Sequence, residues 1–244
     1  NADSNAYISW GKVFNAPTTD DLYWHQYYPD YGSYTLGDEN LKPEKGHVLT
    51  IGTNIKLSDR TNFNASIFRS YINDAIDWVY TPEWDSQAIN VNSEKRRGME
   101  LSIEHNFDET WSSDASYTYL QVKQNFDNGE GYLTDGSAKP NVYRANVKYK
   151  NKELTVKLTA HAATGQAKYY MSKSGETGAF ADNAYFTWDL GAQYKLNKNS
   201  KVFAQFNNIN NVAYQEYSGL YKNSGLPIYP MASRNFVVGM EYSF

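Results

Sequence analysis

The chain has 244 residues, a formal net charge of −4, 22 tyrosines and no cysteine. The charge gives no support for nucleic-acid binding, which normally uses a concentrated basic face, and the lack of cysteine excludes disulfides and thiolate metal sites. A run of about 18 apolar residues, the mark of a transmembrane helix, is also missing. A polar average is nevertheless compatible with a membrane β-barrel, whose apolar residues occupy only alternate positions.

The first predicted strand leads into a long loop that is both aromatic and acidic. The stretch from Phe14 to Glu44 reads FNAPTTDDLYWHQYYPDYGSYTLGDENLKPE, with neither strand alternation nor helical spacing. A loop of this length exceeds an ordinary connection, and long loops in compact proteins are usually functional.

After this loop, alternation of apolar and polar residues predicts a series of β-strands. A period of two gives each strand one apolar and one polar face. The phase is lost only between residues 62 and 80, near Arg69, where we predict a β-bulge. The alternating stretches are GHVLTIGTNIKL (46–57), GMELSIEHNF (98–107), VYRANVKYK (142–150), ELTVKLTAHA (153–162) and FTWDLGAQYKL (186–196).

Short and long connections alternate between about ten predicted strands. Short turns begin at Ser58, Asp108, Asn151 and Asn197. The other connections are longer, over 14–45, 81–90, 126–140, 166–183 and 208–233. This pattern predicts an all-β, antiparallel up-and-down sheet with its short turns at one end, as in outer-membrane barrels. Several segments keep their phase long enough to cross a bilayer, which takes about 9–11 residues.

Two other classes of protein fit the same pattern. A soluble all-β carbohydrate-binding or adhesin domain would also alternate, and its aromatic loop would suit sugars. A passive porin would have the same barrel without an energy-coupling partner. The alternation alone does not decide among these three classes.

Short motifs add a resemblance to TonB-dependent outer-membrane receptors. In that family an F-x-A-P box precedes an extracellular loop and an N-L-x-P-E box re-enters the barrel. The matching stretches are FNAP (14–17), DDLY (20–23), ENLKPE (39–44), RRGMELSIEHNF (96–107), FAQFNNINNVAYQEY (203–217) and YPMASRNFVVGMEYSF (229–244).

The resemblance implies an architecture and partners. The chain is similar to the C-terminal ten or so strands of a barrel of about 22 strands, with the plug domain and the N-terminal strands absent from residues 1–244. We therefore expect a location in the outer membrane of a diderm bacterium, contact with outer-membrane lipid, and coupling to the TonB complex through the plug. Tyr242 and Phe244 resemble the C-terminal signal that the barrel assembly machinery reads.

The resemblance also implies import of a scarce metal chelate: haem, cobalamin or a siderophore. No intrinsic cofactor is expected, because haem or cobalamin would be the transported ligand. His25 lies where haem receptors place an iron-ligating histidine, and neutral imidazole is a common axial ligand; His161 is a second candidate. Asn15 departs from the haem-receptor pattern, so the other chelates stay open. The expected ligand-contacting residues of the loop are Tyr23, Trp24, His25, Tyr27, Tyr28, Tyr31 and Tyr34.

The acidic residues of the loop suggest one further ligand. Asp20, Asp21 and Asp38 carry the oxygen ligands that calcium prefers, and cobalamin receptors of the resembled family bind calcium through loop aspartates. No nucleophile elbow, zinc-protease motif or catalytic triad is present in the sequence. We therefore expect a receptor and not an enzyme.

Overall fold

The computed structural model describes residues 3–81, 83–126, 129–132, 140–165, 168–171, 176–179, 184–216 and 230–243. Within these ranges no helix is long and apolar enough to cross a membrane. The elements in chain order are β1 (Asn5–Asn15), α1 (Thr19–Tyr23), β2 (His25–Tyr28), β3 (Ser33–Leu36), β4 (Glu44–Ser58), β5 (Thr61–Tyr80), β6 (Ser86–Asn106), β7 (Trp111–Phe126), β8 (Gly129–Tyr132), β9 (Asn141–Lys150), β10 (Leu154–Thr164), β11 (Lys168–Met171), β12 (Glu176–Ala179), β13 (Tyr185–Lys195), β14 (Ser200–Asn207) and β15 (Asn235–Tyr242).

Ten of these strands form one antiparallel sheet in chain order. Its path is β1–β4–β5–β6–β7–β9–β10–β13–β14–β15. The short strands β2, β3 and β8 lie in the connections, and β3 joins the sheet by pairing in parallel with β6. Across the described residues β1 pairs only with β4 and β15 only with β14, so the sheet has two open edges. The prediction of an all-β up-and-down architecture is confirmed.

All four predicted short turns lie at one end of this sheet, called the short-turn end. They occupy 59–60, 107–110, 151–153 and 196–199, between strands that pair directly. The pairing of Tyr242 with Ser200 places the end of β15 there too. The longer connections therefore share the opposite end, called the long-loop end.

The hairpin of β5 and β6 projects beyond its neighbour β4 at the long-loop end. The last pair between β4 and β5 joins Lys45 to Asn73, whereas β5 and β6 stay paired as far as Tyr80 and Ser86. The predicted long connection over 81–90 is therefore wrong, because only residues 81–85 link the two strands. These ends of β5 and β6 project beyond the part of the sheet that faces lipid, so their residues do not need to alternate between apolar and polar. Their sequence therefore resembles that of a loop.

The predicted bulge at Arg69 is also wrong. Arg69 pairs in register with Leu49 on one side and Arg97 on the other. The ladder is interrupted instead at Asp74, which has φ of 52°. Aspartate tolerates this left-handed conformation better than most residues.

Alternate residues separate an apolar face from a polar face of the sheet. On the polar face, Asn146 is buried and donates to Asp114 Oδ2 (2.6 Å), while Thr159 Oγ1 donates to Asn146 Oδ1 (2.7 Å). The apolar face leaves large side chains exposed, as expected where lipid covers them. These include Ile8, Trp10, Leu49, Ile51, Ile67, Ile103, Val147, Leu158, Trp188, Phe206 and Val238.

A small buried cluster supports the base of the projecting hairpin. Ile72, Ala75, Val79 and Val91 pack together, with Val13 and Ile89 against them. The cluster fixes the hairpin to β1, and the hairpin then supports the first long loop.

Candidate functional site

The first long loop, residues 16–43, folds into a capped helical turn and a β-hairpin; we call it the aromatic loop. The helix α1 begins after Thr18, whose Oγ1 accepts from the backbone N–H of Asp21 (3.1 Å). In return, Asp21 Oδ2 accepts from the backbone N–H of Thr18 (2.8 Å). This reciprocal capping box satisfies N–H groups that a five-residue helix cannot satisfy itself.

Asp21 also ties α1 to the projecting hairpin. Its Oδ1 accepts from Trp78 Nε1 at 3.1 Å, and the Trp78 ring meets the Trp24 ring edge-to-face with centroids 6.3 Å apart. Burial alone would raise the pKa of Asp21, but the hydrogen bonds from Thr18 and Trp78 outweigh it and hold the pKa below the usual 3.8. The carboxylate is thus an anchoring group.

A second anchor attaches the aromatic hairpin to β6. β3 lies parallel to the start of β6, pairing Thr35 with Ser86 and Leu36 with Gln87. The backbone N–H of Tyr34 donates to Asp85 Oδ1 at 2.7 Å. The hairpin therefore continues the sheet and does not move as a free loop.

A third anchor closes the aromatic loop where it returns to β4. Asn90 Oδ1 accepts from the backbone N–H of Lys42 (2.7 Å), and Asn90 Nδ2 donates to the carbonyls of Lys42 (3.0 Å) and Asp74 (2.7 Å). Leu41 beside it is buried. The loop is held at its start, middle and end.

Three of the predicted ligand residues share one face of the hairpin. Tyr27 lies opposite Tyr34 with ring centroids 4.7 Å apart, and the His25 ring lies 5.6 Å from Tyr34. Tyr27 is 49% exposed and Tyr34 37%. The result is a shallow aromatic surface, the hairpin face, with one imidazole at its edge. Such a surface suits a flat, partly polar ligand.

The other predicted aromatic residues lie elsewhere on the loop. Tyr31 is 83% exposed at the hairpin turn, and Tyr23 is exposed at the end of α1. Tyr28 is half-buried on the opposite face of the hairpin. Trp24 is 41% exposed, meets Trp78 edge-to-face and donates from Nε1 to Gln26 Oε1 (3.3 Å).

The predicted metal-binding residues are not gathered into one group. Asp21 is engaged in the capping box, and Asp38 Oδ1 accepts from the backbone and side-chain nitrogens of Asn40. In the part of the chain that the structure describes, no three His, Asp or Glu side chains are placed to hold a metal ion. A calcium role for Asp20, Asp21 and Asp38 therefore stays a prediction, as does iron ligation by His25 or by His161, whose ring meets Tyr185 edge-to-face.

The residues that anchor the aromatic loop were missed by the sequence analysis. Trp78, Asp85 and Asn90 lie where the alternation had been lost, in the projecting hairpin. The sequence did contain one signal for these anchors, a tryptophan (Trp78) close to two aspartates (Asp74 and Asp77). Their contacts span 48 to 57 residues of sequence, which periodicity does not detect.

The predicted assembly signal is described only in part. Tyr242 ends β15, exposed on the same face as Met240 and Val238. Phe244 lies outside the described residues. The role of both residues in assembly stays a prediction.

Replacing Asp21 with asparagine is expected to loosen the aromatic loop. Asparagine offers one acceptor oxygen to three donor groups, so the cap or the Trp78 bond is lost, at about 1 kcal/mol. Opening of the loop should rise about fivefold, measured as chymotrypsin cleavage in the loop at neutral pH. Asp20→Asn, a neighbouring change outside the cap, is the control; equal cleavage of both variants would contradict the anchoring role.

The sign of the pKa shift sets the pH range of this anchor. Because the folded pKa of Asp21 lies below the usual 3.8, its contribution is complete above that pH and is lost as pH falls through the folded value. The loop should therefore stay anchored throughout the neutral range.

Comparison of the chain with known proteins shows the family to which it belongs. A family model described as "TonB dependent receptor-like, beta-barrel" matches residues 1–209. The vitamin B12 transporter BtuB of Vibrio vulnificus is 26% identical over 97% of this chain and 34% of its own length. The ferric-pyoverdine BN7/BN8 receptor of Pseudomonas putida is 23% identical over 98% of this chain and 26% of its own length.

A solved structure shows the same fold. The copper transporter OprC superposes with a TM-score of 0.78 at 20% identity, over 99% of this chain and 37% of that one. The chain thus spans about a third of the length of the relatives it matches. With residues 1–209 matched by the family model, the chain belongs to the TonB dependent receptor-like β-barrel family, whose members are transport receptors of the outer membrane.

Proposed function

We propose that this chain is the C-terminal part of the barrel of a receptor that binds a scarce metal chelate and imports it with energy from TonB. Family membership overturns the soluble carbohydrate-binding or adhesin alternative, because the family consists of outer-membrane receptors. The passive porin is set aside for the same reason. Catalysis has no role in this proposal.

The observation that carries the proposal is the anchored hairpin face. Tyr27 and Tyr34 present adjoining rings at the long-loop end, which is extracellular in barrels of this type. Because three anchors fix the loop, little ordering free energy opposes ligand binding. A flat chelate would stack on this face while its polar edge stays in water.

The chelate classes are haem, cobalamin and a siderophore. Among the relatives are a vitamin B12 transporter, a ferric-pyoverdine receptor and the haemoglobin-binding protein A of Haemophilus influenzae, which is 30% identical over 35% of this chain and 8% of its own length. His25 at the edge of the hairpin face favours a ligand with an open axial position on its metal, as haem iron has. TonB coupling would act through a plug domain supplied by the rest of the receptor, and assembly would use the barrel assembly machinery.

Titrating the intact receptor in detergent with hemin, and separately with cyanocobalamin and ferric pyoverdine, tests this function. For haem, we expect a Soret shift at one equivalent of hemin that is absent in His25→Ala. His47→Ala is the control, because His47 is exposed on the apolar face, beside Tyr71.

The outcomes separate the ligand classes from the proposal itself. A Soret shift that survives His25→Ala removes His25 as an iron ligand. Saturable binding of cyanocobalamin or ferric pyoverdine that weakens in Tyr27→Ala assigns the hairpin face to that chelate. A receptor that binds none of the three at the hairpin face contradicts the proposed function.

A further inference from the structure

We propose that the apolar face carries a binding site for a membrane lipid with a phosphate-bearing headgroup. The site joins a cluster of cationic side chains, at the long-loop edge of the apolar band, to an apolar groove below it. The cationic cluster consists of Lys12, Lys45, Arg69, Lys95, Arg97 and Lys123.

The strand register places this cluster on the apolar face. Arg69 pairs with Leu49, which pairs in turn with Trp10, and both partners are exposed apolar residues. Directly opposite residues on neighbouring strands lie on the same face of a sheet. On its other side Arg69 faces Arg97, and both arginines are exposed.

The rest of the cluster follows the same rule on the neighbouring strands. Lys95, two residues from Arg97 on β6, faces Lys123 on β7. Lys12 on β1 faces His47 on β4. The charges thus lie in three adjoining rows, with Arg69 and Arg97 in the first, Lys12, Lys95 and Lys123 in the second, and Lys45 in the third.

Arg69 and Arg97 are like charges directly opposite each other, an arrangement that destabilises a sheet unless another group neutralises it. The acidic residues of β6, which are Glu94, Glu100 and Glu104, all belong to the polar phase. There Glu94 forms an ion pair with Arg96. Among the described residues neither Arg69 nor Arg97 has a carboxylate partner. An anion from outside the chain would supply the missing charge.

Arg69 and Arg97 lie at the edge of the apolar band, which is the depth at which a lipid headgroup would lie. The next row toward the short-turn end, Ile67, Met99 and Tyr119, is the start of the apolar band. Long side chains at such a boundary keep their charge at the interface while their stems cover apolar surface. Since the long-loop end is extracellular in this family, the cluster faces the headgroups of the outer leaflet.

An apolar groove of about 440 Å³ lies on the same face below the cluster. Its floor is made by small residues, among them Ala145, Ala160 and Ala162, between the rings of Tyr143 and Phe186. Ala145 on β9 pairs with Ala160 on β10, and Ala162 on β10 pairs with Tyr143 on β9 and with Phe186 on β13. A strip of small residues between large rings can hold one acyl chain.

One lipid can reach both parts of the site. Leu101 lines the groove and lies on the same face of β6 as Arg97, four residues away. That separation is about 13 Å along a strand, within the length of one phospholipid or glycolipid. The charge of the cluster and the continuous apolar groove together favour a phosphorylated lipid over free phosphate or a protein partner.

Native mass spectrometry of the intact, delipidated receptor tests the site with bisphosphorylated lipid A as the probe. We expect one retained lipid, and a loss of affinity of about 25-fold in R69Q/R97Q, from about fivefold for each cationic side chain at a lipid surface. Lipid A freed of phosphate should bind wild type as weakly as the probe binds this variant.

Two further variants separate the site from general effects. K148Q/K157Q also removes two cationic side chains that lie directly opposite each other, but from the polar face of the sheet. It should leave the affinity for the lipid unchanged. A160F fills the groove, should weaken lipid binding without altering the charges, and carries the test if R69Q/R97Q fails to assemble. Unchanged affinity in R69Q/R97Q, equal loss in K148Q/K157Q, or equal binding of phosphate-free lipid A would overturn the proposal.

Discussion

Replacing Gly46 with alanine is expected to prevent the barrel sheet from assembling. Gly46 lies on β4 between Val13 of β1 and Ile72 of β5. An added Cβ would overlap the carbonyl oxygen of Tyr71 and lie 2.8 Å from the Ile72 Cα. These are backbone atoms of a strand that is paired along its length with β6, so they cannot move aside singly.

The expected cost is large because relief requires β4 and β5 to separate. Overpacking of a fixed site costs roughly 3 kcal/mol at the upper end of the usual range, or about a hundredfold in the folded-to-unfolded ratio. The measurement is the fraction of receptor in the outer membrane that shows heat-modifiable electrophoretic mobility. Gly191→Ala is the control, because a Cβ at Gly191 meets nothing within 4 Å. Normal assembly of Gly46→Ala would show that the two strands tolerate a wider spacing.

Replacing Gly37 with alanine is expected to release the aromatic loop while the sheet stays assembled. Gly37 follows β3, and its backbone N–H donates to the Trp24 carbonyl at 2.7 Å. An added Cβ would lie 2.7 Å from the carbonyl oxygen of Asp21 and 2.8 Å from the backbone nitrogen of Tyr23. The helix α1 would have to leave this position, which breaks the Trp24–Trp78 contact.

The consequence is a loss of ligand affinity. The hairpin face depends on α1 and Gly37 for its position, so its release adds the ordering free energy that the anchors now remove. We expect affinity for the cognate chelate to fall by at least about tenfold, one step of about 1.4 kcal/mol. Chymotrypsin should also cleave the loop faster, with heat-modifiable mobility unchanged.

Gly32→Ala is the matched control within the same loop. Gly32 has φ of 63°, and a Cβ there meets nothing within 4 Å, so the substitution adds backbone strain without a collision. That strain costs roughly 1–2 kcal/mol and is confined to the hairpin turn. If both variants bind and resist protease equally, the packing of Gly37 against α1 does not fix the loop.

The sheet could be predicted from the sequence because each strand crosses one uniform environment. Lipid on one side and a polar interior on the other impose a period of two on segments such as 46–57 and 98–107. The turns were predicted equally well, since residues such as Asp108 form their bonds locally: its Oδ1 accepts from the backbone N–H groups of Thr110 and Trp111. Both the alternation of a strand and the hydrogen bonds of a turn involve residues that are close in the sequence, so both can be predicted from it.

The aromatic loop was found from its composition, but its arrangement was not. The sequence indicated seven candidate residues with equal weight, whereas the strand pairing brings only His25, Tyr27 and Tyr34 onto one face. Trp24, equally aromatic, packs against Trp78 instead. Which side of a short hairpin is exposed depends on where the hairpin docks.

Arg69 is a second position where the sequence was informative and the structure was still needed. A charged residue in an apolar phase predicted a bulge, because the sequence by itself contains no information on what lies beside it. The tertiary structure keeps the ladder in register there, pairs Arg69 with Arg97, and interrupts the ladder at Asp74 instead. The sequence by itself therefore determined the alternating strands, the four short turns and the family. Only the tertiary structure decided the register and the anchoring contacts, because these join residues about fifty positions apart whose separation in space depends on the whole sheet.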